Sequence, residues 1–138
     1  KVVNPYLNFN GNTEEAFNLY KSVFGGEFAM VMRMKDAQGM PVPKGQEEKI
    51  MHIAFPLNSG QVLMASDNCN NETFRAGNNY YISIHADNVE EGQKLYSALA
   101  TGGKADHPFE KQFWGSWHGN LTDKFGVNWM VNYDPQLQ

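Results

Sequence analysis

The chain has 138 residues, 41% of them hydrophobic and 19% charged, and a formal net charge of −4. That length suits one domain with a real core and is too short for two ordinary ones, and the composition excludes a disordered chain. The eleven basic residues are scattered and no apolar run approaches the roughly 18 residues of a membrane span, so neither nucleic acid nor membrane is an expected partner.

In chain order, residues 4–9 read as a short strand, with Pro5 near its start, where a missing amide does least harm. Asn12, Thr13, Glu14 and Glu15 resemble a helix N-cap with an acidic residue three positions on. Ala16, Phe17, Tyr20, Val23 and Phe24 follow at helical spacing, and Gly25-Gly26 should stop that helix. Residues 27–35 are the next strand. DAQGMPVPKGQEE, residues 36–48, carries two prolines and two glycines and is expected as an exposed, mobile loop. Residues 49–57 and 61–67 form a hairpin about Asn58-Ser59-Gly60. Residues 68–79 are polar and asparagine-rich and read as a connector. Residues 80–86 are a strand, a second helix follows from Asn88 to Gly102-Gly103, and WGSWHGNLTDKFGVNWMV forms a second hairpin. Its strands are residues 114–121 and 127–131, with Asp123, Lys124, Phe125 and Gly126 in the turn.

A repeat runs through this order. Asn12, Glu14, Glu15, Leu19 and Tyr20 match Asn88, Glu90, Glu91, Leu95 and Tyr96, all shifted by 76 (88 − 12). His52, Gly60 and Met64 match His118, Gly126 and Met130, all shifted by 66 (118 − 52). The chain is therefore read as a duplicated βαβββ unit, with copies at about 1–67 and 80–138 and a connector at 68–79. The expected class is α+β: a single domain, 1–138, whose two units form a curved mixed sheet with helices outside and a concave cavity. Alternation puts Met51, Ile53, Phe55 and Leu57 on one strand face and His52 and Ala54 on the other, while Trp114, Ser116, His118 and Asn120 alternate with Gly115, Trp117, Gly119 and Leu121. The histidine faces are read as the inner ones.

PYLNFNGNTEEAFNLYKSVFGGE, YYISIHADNVEEGQKLYSALATGG and FWGSWHGNLTDKFGVNWMVN together cover nearly the whole chain. On these stretches the sequence resembles the PhnB-like branch of the vicinal oxygen chelate superfamily, which contains glyoxalases, bleomycin-resistance proteins and extradiol dioxygenases. The resemblance implies a divalent ion held in the cavity by histidines and glutamates of the first and last strands of each unit. By pattern those places fall near Pro5, Met64, Tyr81 and Met130, and none is a normal ligand for a hard or borderline cation. Their neighbours Tyr6, Leu63, Ala65, Ile82 and Trp129 supply no substitute, so neither a metal nor another cofactor is expected. The branch also carries a demethylubiquinone methyltransferase label. The glycine-rich strand-to-helix turn usual for S-adenosylmethionine is missing, which argues against that activity. A homodimer is implied by the resemblance.

His52 and His118 are the candidate catalytic pair. They either hold a metal or act as acid and base, or each hydrogen-bonds within its own unit; the second reading is favoured. His85 is read as turn support and His107 as a loop residue. Glu14, Glu15, Glu90 and Glu91 lie in first helical turns, where the helix dipole accounts for them. Asp67, Asp87 and Asp123 sit at strand ends or turns. Cys69 has no activating neighbour. As the single cysteine it cannot form an intrachain disulfide, and KVVNPYLNF lacks a signal peptide's apolar stretch, so a cytoplasmic setting is expected. Ligand binding is the better-supported role. Trp114, Ser116, His118, His52, Tyr81, Ser83, Ser66, Met64 and Met130, with Phe9, would line a largely apolar site carrying a few hydroxyls. Trp129, Phe125, Leu95 and Leu99 are read as packing residues.

Overall fold

The computed structural model describes residues 1–39, 41–68 and 74–137, with residue 137 described by its backbone alone. Cys69 and part of the expected connector lie outside the described residues. The chain divides into two compact units, Lys1–Ala76 and Gly77–Gln138.

The first unit runs β1 (Tyr6–Phe9), α1 (Thr13–Phe24), β2 (Met30–Arg33), a short 3₁₀ turn (Met34–Asp36), β3 (Ile50–Pro56) and β4 (Val62–Asp67). Its sheet order is β1-β4-β3-β2, with β1 parallel to β4 and the other pairs antiparallel. The second unit runs β5 (Ile82–His85), α2 (Val89–Ala100), β6 (Lys104–Lys111), β7 (Trp117–Thr122) and β8 (Asn128–Tyr133), in sheet order β5-β8-β7-β6 with the same sense of pairing. Each unit is thus βαβββ, as the repeat predicts, and the strands hydrogen-bond as two four-stranded sheets.

In each unit the helix covers one sheet face. Ala16, Phe17 and Tyr20 of α1 are buried together with Phe9, Ile53, Phe55, Leu63 and Ala65. The Phe17 ring meets Phe9 edge-on at 6.2 Å, so Phe9 is core rather than a ligand contact. In the second unit α2 packs on β6, β7 and β8, with Tyr96, Leu99, Leu121, Trp129 and Val131 buried. The Tyr96 hydroxyl donates to the carbonyls of His107 (2.8 Å) and Asn120 (3.1 Å), tying helix to sheet. Burial raises the Tyr96 pKa, with a smaller contribution from the Asp106 charge.

The two helix starts are capped differently. In α2 the Asn88 side chain accepts from the Glu91 amide at 2.8 Å, and Glu91 reaches back to the Asp87 amide at 2.8 Å. In α1 Asn12 makes no side-chain cap. Asp67, at the end of β4, serves instead, accepting from the Thr13 amide (3.0 Å) and hydroxyl (2.7 Å). Arg33 forks onto Glu14 through Nη1 (3.0 Å) and Nη2 (2.7 Å). The hydrogen bond from Arg33 lowers the Glu14 pKa against an opposing effect of burial.

Three expectations are corrected. His107 is a strand residue of β6, which the sequence reading left unassigned; it remains exposed. Trp114 is not in a strand, because β7 begins at Trp117 and Gln112 to Ser116 form a turn closed by Gly115 N–H to Gln112 O at 3.0 Å. Residues 34–35, expected as the end of a strand, belong instead to the 3₁₀ turn Met34–Asp36.

Candidate functional site

The faces opposite the helices carry the candidate residues. Directly paired residues of adjacent strands project to the same side, so the register assigns each face. In the first unit Tyr6 stands opposite Met64, which stands opposite Ala54, which stands opposite Met30. One step along, Asn8 is opposite Ser66 and Met32 opposite His52. The Tyr6 hydroxyl lies 3.1 Å from His52 Nδ1, with the rings stacked at 5.7 Å and 26°. Ser66 Oγ donates to Asn8 Oδ1 at 3.2 Å. The face is therefore rich in thioethers, with two small polar pairs.

The second unit repeats the layout with other chemistry. Ser83 stands opposite Met130, and Met130 opposite Asn120; His85 stands opposite Asn132, and Asn132 opposite His118, whose other neighbour is Glu110. His118 Nδ1 lies 2.9 Å from Asn132 Oδ1, and Asn132 Nδ2 donates to Ser83 Oγ at 3.0 Å. Thr122 Oγ1 bonds Asn128 Oδ1 at 2.9 Å. Where the first face presents Met30, Met32, Ala54 and Tyr6, this one presents His107, Glu110, Asn120 and Ser83.

Of the residues singled out from sequence, His52, Met64 and Ser66 are thus brought onto one face, and Ser83, His118 and Met130 onto the other. His52 and His118 belong to different units, and each ring is hydrogen-bonded within its own. Tyr81 precedes β5 and is exposed, and Ser116 ends the turn before β7, its carbonyl accepting from the Gln112 amide at 2.8 Å. The three tryptophans that lie near His118 in the sequence do not gather around it. Trp117 alternates to the opposite side of the strand and meets the Phe109 ring at 5.5 Å. Trp129 is 1% exposed and donates to Asp123 Oδ2 at 2.9 Å. Trp114 is 59% exposed and rests edge-on against Phe113. Tyr6 and Asn132, which hydrogen-bond the histidines, were not singled out from sequence, and Asn120 was placed on the His118 face without a role. Alternation from Met130 along β8 would have reached Asn132.

The sequence pattern of the 3-demethylubiquinone-9 3-methyltransferase family matches residues 1–132. The chain belongs to that family. It is similar to protein PA1353 of Pseudomonas aeruginosa, 37% identical with a TM-score of 0.83 over 97% of this chain and 98% of that one. It is also similar to a PhnB protein of Bacillus cereus described as a putative 3-demethylubiquinone-9 3-methyltransferase, 28% identical with a TM-score of 0.82 over 97% and 100%. A glyoxalase/bleomycin resistance protein/dioxygenase family enzyme of Burkholderia phytofirmans shares the fold at 15% identity, with a TM-score of 0.62 over 93% and 95%. The chain is accordingly PhnB-like, and it shares the fold of that glyoxalase/bleomycin resistance protein/dioxygenase family enzyme.

For this PhnB-like chain the register sharpens the positions that the resemblance implies for ion ligands. Met64 pairs with Tyr6 and only takes the Pro5 carbonyl through its amide, at 3.2 Å; Met130 pairs with Ser83 rather than Tyr81. Two thioethers, a phenol and a serine hydroxyl do not fit a hard or borderline divalent ion. Among the described residues no group of three His, Cys, Asp or Glu side chains gathers with metal-holding geometry. No helix among them is long and apolar enough to cross a membrane.

Proposed function

We propose that this PhnB-like protein binds a small organic molecule on its helix-free sheet faces without the divalent metal centre usual in its superfamily. The observation that carries this reading is the pairing of Tyr6 with Met64 and of Ser83 with Met130, where family members that use an ion place ligating histidines and glutamates. Flexible, polarisable methionines beside a few oriented hydroxyls, amides and imidazoles suit a partly aromatic or amphipathic molecule. The methyl transfer named in the family's description draws no support from the described residues, which contain neither a doubly wound parallel sheet nor a glycine-rich strand-to-helix turn. A homodimer and a cytoplasmic setting form part of the same proposal and rest on the resemblance and on the composition.

A thermal-shift screen of several hundred small metabolites in buffer containing EDTA tests it. At least one amphipathic compound should raise the melting temperature by about 3 °C or more, as mass action requires of a ligand well above its Kd. Shifts that appear only with added divalent ion, or no shift with any compound, would contradict it.

A further inference from the structure

Asn120 lies mid-strand in β7, between Met130 of β8 and His107 of β6, on the face that carries His118. Its neighbours on that face are partnered: His118 with Asn132, Asn132 with Ser83, Thr122 with Asn128. Asn120 is not. The residue is 7% exposed, and its Oδ1 is buried without a hydrogen-bond partner, the one side-chain atom in that state among the described residues. Its backbone carbonyl accepts from the Tyr96 hydroxyl.

A buried acceptor left unpaired costs free energy, and native proteins seldom tolerate one without a reason. An apolar residue would fill the position at no such cost; the equivalent place in the first unit, opposite Met64, is Ala54. The pseudo-repeat therefore replaces a featureless methyl by an amide whose oxygen finds no partner among the described residues.

The geometry points to Asn120 as a specificity residue whose Oδ1 accepts a hydrogen bond from an N–H or O–H group of the bound molecule. The ligand class is then a small, partly apolar compound bearing a donor, its apolar part on Met130 and its donor on Asn120. Ser83 and His118 stand close by in the register to orient the rest. This rests on the small-molecule reading above and adds the chemistry that the second unit selects.

The test uses a matched pair of probes, benzamide and N,N-dimethylbenzamide, which share ring and carbonyl but differ in the two N–H donors. Titration of the whole chain is followed by ¹H–¹⁵N correlation spectra. Benzamide should shift the Asn120 signals and bind at least about fivefold more tightly than the dimethyl compound, the loss expected for one hydrogen bond. In Asn120→Leu the preference should shrink to within about twofold, while the ligand-free variant melts no lower than wild type because no hydrogen bond is lost. Equal binding of both probes to wild type would overturn the proposal, as would no binding of benzamide. A preference that survives in Asn120→Leu would show a steric origin and overturn it too. A fall of more than about 3 °C in the ligand-free variant would show an amide already satisfied, with the same consequence. If these outcomes appear while the EDTA screen yields ligands lacking donors, the small-molecule reading stands and the role of Asn120 falls. If the screen yields none, both fall.

Discussion

Asp67→Asn is expected to destabilise the first unit by about 3 kcal/mol, the cost of turning a buried, fully used carboxylate into an amide that cannot satisfy the same donors. Oδ1 accepts from the amide and the hydroxyl of Thr13, and Oδ2 accepts from the Ile50 amide at 2.8 Å. Three donors therefore converge on one side chain that is 7% exposed. Asparagine has the same shape but one acceptor oxygen, so either orientation aims an NH₂ group at an N–H. The joint matters because it ties the end of β4 to the start of α1 and the start of β3. Urea denaturation followed by circular dichroism reads the effect. A loss below about 1 kcal/mol would show that the helix start does not depend on this carboxylate.

Gly119→Ala is expected to be comparably severe, at about 2–4 kcal/mol, through overpacking against backbone. A Cβ at residue 119 would stand 2.7 Å from both Cα and N of Phe109 and 3.0 Å from the Pro108 carbonyl carbon. These are main-chain atoms of the neighbouring strand and cannot swing aside as a side chain would. β6 is pressed close here because its register with β7 shifts on both sides of His107. That brings the Phe109 ring under α2, where Gly92 leaves room for it: a Cβ at 92 would collide with the ring. Relief would require β6 to move off β7, exposing Phe109. The same urea experiment applies, with Ser116→Ala in the preceding turn as a control expected to stay within about 0.5 kcal/mol. A Gly119→Ala variant as stable as wild type would mean that β6 is held more loosely than its packing implies.

Much of this fold is legible in the chain, and for local reasons. The hairpin offsets hold because both loops close alike: Gly60 and Gly126 take φ of 93° and 89° and donate to the carbonyls of Leu57 and Asp123. The helices are legible from their periodicity and the strand faces from alternation. β6 is harder to read, since KADHPFEK buries Phe109 alone and is bent by its irregular register around Pro108. The cap of α1 is invisible to any local rule, because it comes from Asp67, more than fifty residues away. On the candidate faces, the residue opposite Met64 is Tyr6, one place beyond the Pro5 named from the resemblance, because no tight turn fixes the register of the parallel pair β1–β4. The tryptophans look like one group in sequence, yet alternation and the turn send them to three environments. Asn120 reads as an ordinary strand asparagine; its lack of a partner exists only in three dimensions.

The most direct test of ligand binding without a metal centre is the metal content of protein expressed in ordinary medium and purified without chelators, read by inductively coupled plasma mass spectrometry. The pairing of Tyr6 with Met64 and of Ser83 with Met130 predicts no stoichiometric divalent ion, in wild type as in His52→Ala and His118→Ala. One equivalent of zinc, nickel, manganese or iron per chain in wild type, lost in either histidine variant, would contradict it and move the chemistry to the histidines.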